Sequence, residues 1–169
     1  MSRLLVLCAL AGSFAFAQNP LSDDSRFVWN GVSDYIVRAA EKMPAEKYSF
    51  KPTETVMTFA QLVGHLADSN YYFCATALGE KPPASSIRKE MSTKEQIVPA
   101  LKESVAYCGK AYSALTDASA VEKLKFFGGE HTRAGVLSFH AGHAYEHYGN
   151  LVTYLRMNGL VPPSSEPRQ

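Results

Sequence analysis

Two histidines four positions apart, His143 and His147, are the residues whose type and spacing point most directly to chemistry. They lie in the segment HAGHAYEHYGNLVTYLRMNGLVPP, residues 140–163, which has no proline before Pro162 and is predicted to form one long helix. At 3.6 residues per turn the two imidazoles lie on one face, where they can bring two nitrogens to about 2.0–2.1 Å from a single divalent ion. From spacing alone, two core histidines that bond to neighbouring groups are favoured over a metal pair.

A third histidine, His65, shifts this balance towards a metal. On the second predicted helix it shares the inward, largely apolar face with Tyr72. By itself a histidine there is more often a hydrogen-bonded core residue. Three imidazoles from two helices that face the same bundle interior, however, can form a facial site with positions left open to water, the pattern of catalytic metal sites. We therefore predict that His65, His143 and His147 bind one divalent ion.

Other side chains on the same helical faces are candidates for the pocket around the ion. His140 lies about one turn before the histidine pair; it is interpreted as a bonded core histidine or a pocket residue, with direct ligation as the less favoured alternative. Tyr72 and Tyr154 could offer hydroxyls to the pocket, although aromatic residues at this spacing are more often core residues. Asn150 is expected to bond to a neighbouring helix, with substrate orientation as the alternative.

Four helical segments must position these side chains. The first is predicted over about 22–42, and the second opens with a capping box at Thr58 and ends at Gly79. The third opens with a capping box at Ser92, and the fourth, which carries the histidine pair, begins near Thr132. No stretch shows the alternation and turn signals of a hairpin. The predicted fold class is therefore all-α, a four-helix bundle.

The first 17 residues are predicted to be a cleavable export signal. Arg3 supplies the positive start, residues 4–11 an apolar run, and a small-residue cleavage pattern ends at Ala17; an uncleaved anchor is the alternative. The run is too short to span a ~30 Å hydrocarbon core stably, so no stable membrane insertion is expected after cleavage. The predicted localisation is periplasmic or secreted, with the bundle over residues 18–161 and a disordered tail over 162–169.

The charge of the mature chain argues against nucleic acid as a partner. Without Arg3 the chain has 16 basic and 16 acidic residues, and no basic run occurs. Proteins that bind DNA or RNA normally carry a clustered positive surface. The expected partner is therefore an unidentified small molecule, and a homodimer is left as an open alternative.

Two cysteines, Cys74 and Cys108, remain after the signal containing Cys8 is removed, and they constrain how the helices run. Each lies about 16 residues into its helix, so at 1.5 Å per residue they reach the same height only if the two helices are parallel. The connecting segment GEKPPASSIRKEM is long enough to cross a helix length. A disulfide and an up-down-down-up bundle are therefore mutually consistent, with two buried free cysteines as the alternative.

The combined motifs resemble the DinB-like superfamily of four-helix bundles. The resemblance is carried by QLVGHLADSNYYFCATALGEKP in the second helix and HAYEHYGNLVTYLRMNGLVPP in the fourth. These segments match the family's early histidine, its His-x-x-x-His followed by a glycine (Gly149), and its L-R-x-x-G-x-x-P ending. The resemblance covers nearly all of the mature chain. It implies a left-handed up-down-down-up bundle in which His65, His143 and His147 bind a divalent metal such as Zn or Ni.

The resemblance implies less about activity. Some members are thiol-dependent transferases or isomerases that use low-molecular-weight thiols, which are mainly cytosolic, so the export signal is a departure from them. The expected function is an exported, metal-dependent hydrolase or group transferase that acts on a small molecule through metal-activated water or thiol. The alternative is a non-catalytic metal- or ligand-binding bundle.

Cleavage after Ala17 is the first testable prediction. Protein recovered from the periplasm or the medium should begin at Gln18, as measured by intact mass and N-terminal sequencing. An Ala17→Leu variant should accumulate uncleaved, because the cleavage site requires a small residue. Exported protein that begins at Met1 would contradict the prediction.

Overall fold

The computed structural model describes residues 18–167, so the export signal predicted for residues 1–17 lies outside the described part. The elements in chain order are α1 (Pro20–Lys42), α2 (Phe59–Leu78), α3 (Ile87–Glu90), α4 (Lys94–Ala114), α5 (Asp117–Ala120), β1 (Lys123–Phe126), β2 (Gly129–Thr132) and α6 (Arg133–Met157). Short 3-10 turns occur at Ala45–Lys47 and Pro163–Ser165. The long helices α1, α2, α4 and α6 enclose one apolar core, which confirms the all-α prediction.

Contacts between helix ends show how α1 runs relative to its neighbours. At the start of α4, Lys94 Nζ donates to the Met43 carbonyl just beyond the end of α1 at 2.9 Å, so α1 and α4 are antiparallel. Near the end of α1, Lys42 Nζ donates to the Val161 carbonyl, just beyond α6, at 3.0 Å. The ends of α1 and α6 therefore meet, and these two helices are parallel.

The helix α2 lies between α4 and α6. At the start of α6 the Arg133 guanidinium donates to the Ala77 carbonyl near the end of α2, so these helices are antiparallel. Cys74 in α2 and Cys108 in α4 are joined by a disulfide, with their Cα atoms 5.2 Å apart, so α2 and α4 are parallel. The four helices therefore run up, down, down and up. The left-handed sense of the bundle stays an expectation from the family resemblance.

Side-chain caps determine where two of the long helices begin. Gln61 N donates to Thr58 Oγ1 at 3.1 Å and Thr58 N donates to Gln61 Oε1 at 3.0 Å, which is the predicted capping box of α2. The α4 box uses Thr93 and Gln96 rather than Ser92. Two overlapping pairs in this stretch have the spacing of a capping box, so the sequence pattern alone does not choose between them.

A short hairpin between α5 and α6 corrects the prediction that the chain has no strands. The strands β1 and β2 pair antiparallel, with Phe126 opposite Gly129. The turn between them has positive φ at both Phe127 (46°) and Gly128 (80°). Turns of this kind usually carry asparagine, aspartate or glycine at both positions. The hairpin was missed because phenylalanine hides the turn signal and because Phe126 alone among the strand residues is buried.

Residues 162–167, the described part of the predicted disordered tail 162–169, are ordered instead. Pro163 is buried in a 3-10 turn, and the Glu166 carboxylate forms ion pairs with Arg38 and Lys42 of α1. These partners are distant in sequence, so composition alone indicated disorder where tertiary contacts impose order. Within residues 18–167, no helix has the length and apolarity needed to cross a membrane.

The disulfide leads to a prediction about stability. It closes a loop with a sequence separation of 34 residues, which in the chain-entropy model contributes about 3–4 kcal/mol to the free energy of unfolding. A Cys74→Ala/Cys108→Ala variant should lose about this amount in urea unfolding, and reductant should destabilise the wild type but not the variant. Two freely alkylated thiols in the native wild-type protein would contradict the assignment.

Candidate metal centre

Three imidazoles from two antiparallel helices meet in a triangle. The Nε2 atom of His65 on α2 lies 3.1 Å from Nε2 of His143 and 3.1 Å from Nε2 of His147, both on α6. The two α6 nitrogens are also 3.1 Å apart. All three side chains are half-buried. The structure thus brings together the three residues that the sequence analysis proposed as ligands.

These three nitrogens cannot all satisfy one another by hydrogen bonding. In a neutral imidazole each Nε2 either carries a hydrogen or presents a lone pair. Among three mutually adjacent nitrogens at least one pair therefore matches hydrogen with hydrogen or lone pair with lone pair. A point equidistant from three atoms spaced 3.1 Å apart can lie about 1.8 Å from each, which is within the ~2.0–2.1 Å reach of a Zn–N bond. The triangle therefore fits a single divalent ion.

The protonation state of the triangle also suits a metal. Burial, with the nearby His147 and His65, lowers the pKa of His143 to about 4. Burial lowers the pKa of His147, and burial together with His147 lowers that of His65. Since the usual histidine pKa is about 6.5, all three rings are neutral at pH 7. Neutral rings have the lone pair that a metal ligand requires.

The other ring nitrogens are supported unequally. Nδ1 of His147 lies 3.4 Å from the side-chain amide of Asn150. If Nε2 is the ligand, Nδ1 carries the hydrogen, and the amide oxygen must face it; oxygen and nitrogen of an amide are assigned from such a network. Nδ1 of His143 is buried and has no hydrogen-bond partner within residues 18–167. The Asn150 side chain therefore contacts the ring of His147 on its own helix rather than a neighbouring helix.

His140 belongs to a separate, fully buried cluster and is not a fourth member of the triangle. Its Nε2 lies 2.9 Å from Asn70 Oδ1, and its Nδ1 lies 3.1 Å from the Tyr112 hydroxyl. Because Asn70 Nδ2 donates to Ser104 Oγ at 2.9 Å, its oxygen is free to accept from His140. The ring also lies against the disulfide, with Cys74 Sγ 3.7 Å from Nδ1. His140 is thus a bonded core histidine, the alternative favoured from its position.

The two candidate tyrosines lie on different sides of the site. Tyr154 donates its hydroxyl to the Met57 carbonyl at 2.6 Å and lines a cavity of about 400 Å³ that also includes Leu62 and Asn150. Tyr72 is 40% exposed and packs beside Phe127 of the hairpin turn, with ring centroids 6.1 Å apart. Tyr154 therefore lies next to the triangle through Asn150, whereas Tyr72 belongs to the aromatic surface around the hairpin.

The sequence analysis missed Arg88, a charged residue whose backbone lies against Gly64, directly before His65. Arg88 on α3 lines a second cavity of about 400 Å³ together with Met57, Gln61 and Lys89. The sequence contained one sign that another segment packs here, because Gly64 lies inside the predicted second helix. A glycine inside a helix costs about 1 kcal/mol relative to alanine, and it commonly marks the close approach of another backbone. In the structure that backbone is the one at Arg88.

Comparison with known proteins gives consistent similarities. The sequence profile of the DinB superfamily matches residues 31–151. The uncharacterized protein YjoA of Bacillus subtilis (strain 168) is 28% identical over 123 residues, which cover 71% of this chain and 79% of that protein. A DinB-like protein from Bacillus cereus ATCC 10987 has a TM-score of 0.74 at 15% identity, covering 83% of this chain and 95% of that chain.

A further neighbour with the same fold has a described activity. The mycothiol-dependent maleylpyruvate isomerase has a TM-score of 0.62 at 14% identity. The match covers 77% of this chain and 60% of the isomerase chain. At this identity the similarity shows a shared fold.

The burial of His140 predicts how stability depends on pH. Burial, with a smaller effect of His143, lowers the pKa of His140 from 6.5 to about 3. Between these values the unfolded state binds one more proton at this site, so stability falls as the pH drops below about 6.5. In urea unfolding of metal-free protein, His140→Gln should reduce this slope by up to about 1.4 kcal/mol per pH unit.

The matched control is His131→Gln, because His131 is exposed. This variant should keep the wild-type slope. Equal slopes for wild type and His140→Gln between pH 4 and 6 would contradict the assignment of a buried neutral ring.

Proposed function

This chain belongs to the DinB superfamily, and we propose that it is an exported metal-dependent hydrolase or group transferase acting on a small molecule. The observation that carries the proposal is the triangle of Nε2 atoms 3.1 Å apart. The cluster of potential ligands around it within residues 18–167 consists of His65, His143 and His147. Catalytic metal sites usually have three protein ligands and leave the fourth position to water or substrate, whereas structural sites usually have four protein ligands.

The chain supplies the donor set and a polar support for it. His65, His143 and His147 would hold a divalent ion, with zinc or nickel favoured by three imidazole donors. When bound, such an ion lowers the pKa of a water or thiol towards about 7 and so provides a nucleophile at neutral pH. The rings hold lone pairs at neutral pH because burial disfavours their protonation. The Asn150 amide, 3.4 Å from Nδ1 of His147, orients one ring.

Asp68 is the carboxylate on α2 that could be considered as a general base for the site. On α2, Asp68 accepts hydrogen bonds from Ser85 Oγ at 2.5 Å, Ile87 N at 2.9 Å and Arg88 N at 3.1 Å. It is therefore committed to holding the start of α3 rather than acting as a general base. This supports chemistry that needs no carboxylate, such as transfer to or from an activated thiol. The same observation favours the second candidate, a bundle that binds a metal or ligand without turnover.

The choice between water and thiol follows from two opposing considerations. The fold shared with a mycothiol-dependent isomerase supports a low-molecular-weight thiol as co-substrate. Export, which we propose from residues 1–17, supports water, because such thiols are mainly cytosolic. For the same chain we propose that nucleic acid is not a partner, given its balanced charge. A homodimer is compatible with the proposal but is not needed for the site.

Metal content tests the proposal. Wild-type protein purified without chelator should contain about one divalent ion per chain by elemental analysis. His65→Ala and His143→Ala should each weaken binding by at least the roughly 10–100-fold that loss of a supporting contact costs. The exposed His131 provides the control, and His131→Ala should retain the metal. Stoichiometric metal in both ligand variants would exclude this site.

A further inference from the structure

We propose that Arg88 binds an oxyanionic group, such as a carboxylate, of the molecule that reaches the histidine triangle, and that the adjoining uncharged cavity holds its apolar part. The inference names a substrate class for the proposed function and rests on it. Three features of the described chain support it. The backbone of Arg88 is fixed by contacts with α2, its guanidinium has no hydrogen-bond partner in the described chain, and a cavity with an uncharged lining lies nearby.

The backbone of Arg88 is held firmly beside the ligand His65. The Asp68 carboxylate accepts from Arg88 N at 3.1 Å and from Ile87 N at 2.9 Å. On the preceding turn of α2, Gly64 makes a close contact: a Cβ at this position would lie 2.8 Å from the Arg88 Cα atom. No side chain fits in that space without moving α3. Gly64 and Asp68, which lie on either side of His65 in α2, thus fix the position of the Arg88 backbone relative to His65.

Arg88 lies beside the turn of α2 that carries His65. A Cβ on Gly64, the residue directly before His65, would lie 2.8 Å from the Arg88 Cα atom. Arg88 also lines the cavity that includes Gln61, one helical turn before His65. The cavity that Arg88 lines therefore adjoins the helical turn of α2 that precedes His65.

The guanidinium of Arg88 has no partner of its own within residues 18–167. The other described arginines are each hydrogen-bonded through the side chain, with partners on Asp23, Asp34, Glu166, Glu122 and Ser165. Arg88 is exposed and makes only the backbone hydrogen bond to Asp68. A planar guanidinium with five free donors matches an oxyanion in a bidentate geometry. An arginine held in place by its backbone while its donors stay unused is suited to bind such a group.

The second cavity beside the triangle has an uncharged lining. The second cavity, about 400 Å³, shares Met57 with the first, and it has no charged residue in its lining, which consists of Pro52, Thr55, Val56, Met57, Leu62, Asn150, Thr153 and Tyr154. Leu62 lies one turn before His65, and Asn150 contacts His147. The triangle is thus flanked by one anion-binding side and one largely apolar side. A molecule that fits both has an anionic end and an uncharged, apolar body.

The test measures the binding of octanoate, octanamide and acetate to the full mature chain loaded with Co²⁺. Binding is measured by the change in the visible spectrum of the metal and by calorimetry. Arg88→Gln should bind octanoate at least tenfold more weakly than wild type, with Arg88→Lys in between. Octanamide should bind wild type and Arg88→Gln with equal affinity. Its affinity for wild type should be lower than that of octanoate. Acetate should bind wild type more weakly than octanoate. Co²⁺ content should be the same in all variants.

The matched control is Arg156→Gln, which removes another exposed arginine, one that pairs with Ser165 near the chain end. It should bind octanoate like wild type. Equal octanoate affinity of wild type and Arg88→Gln would overturn the role of Arg88, and equal affinity for acetate and octanoate would overturn the apolar subsite. Protein that fails to bind Co²⁺ at all would refute the proposed function instead; the same comparison of variants, run by calorimetry on metal-free protein, then still decides the role of Arg88.

Discussion

Three imidazole nitrogens 3.1 Å apart are a frustrated arrangement unless something accepts all three lone pairs. Hydrogen bonds within the triangle leave at least one like pair in contact, and burial makes protonation of the rings unfavourable. A single divalent ion removes the conflict. Because His65 comes from α2 and the other two rings from α6, that ion would also join two antiparallel helices.

The helix α2 connects this site to the rest of the bundle. One of its faces presents His65 to α6, and a second, through Gly64 and Asp68, holds α3 in contact. A third face reaches α4 through the disulfide at Cys74 and through Asn70, whose amide donates to Ser104. The buried cluster around His140 lies behind the triangle and is fully hydrogen-bonded. The site thus lies next to a buried polar core, and two cavities, one lined by Arg88 and one by Asn150, lie near it.

Much of this arrangement could be predicted because it is encoded locally. The spacing of His143 and His147 depends only on helix periodicity, and the equal heights of Cys74 and Cys108 indicated the parallel pair of helices. Features that depend on tertiary contacts were not accessible. In α1 the apolar side chain of Val28 is 39% exposed, whereas that of Trp29 next to it is 2% exposed. The phenylalanine at position 127 hides the turn signal of the hairpin, and the contact of Arg88 with Gly64, next to His65, depends on a crossover packing that no local pattern describes.

The proposed metal site holds one ion at the Nε2 triangle, with solvent in its remaining positions. Anomalous diffraction at the absorption edge of the bound metal, from crystals of the purified mature protein, tests this assignment. We expect one peak about 2.0–2.1 Å from Nε2 of each of His65, His143 and His147, with only solvent completing the coordination. A peak elsewhere in the bundle, or a fourth protein side chain closing the ion, would contradict it.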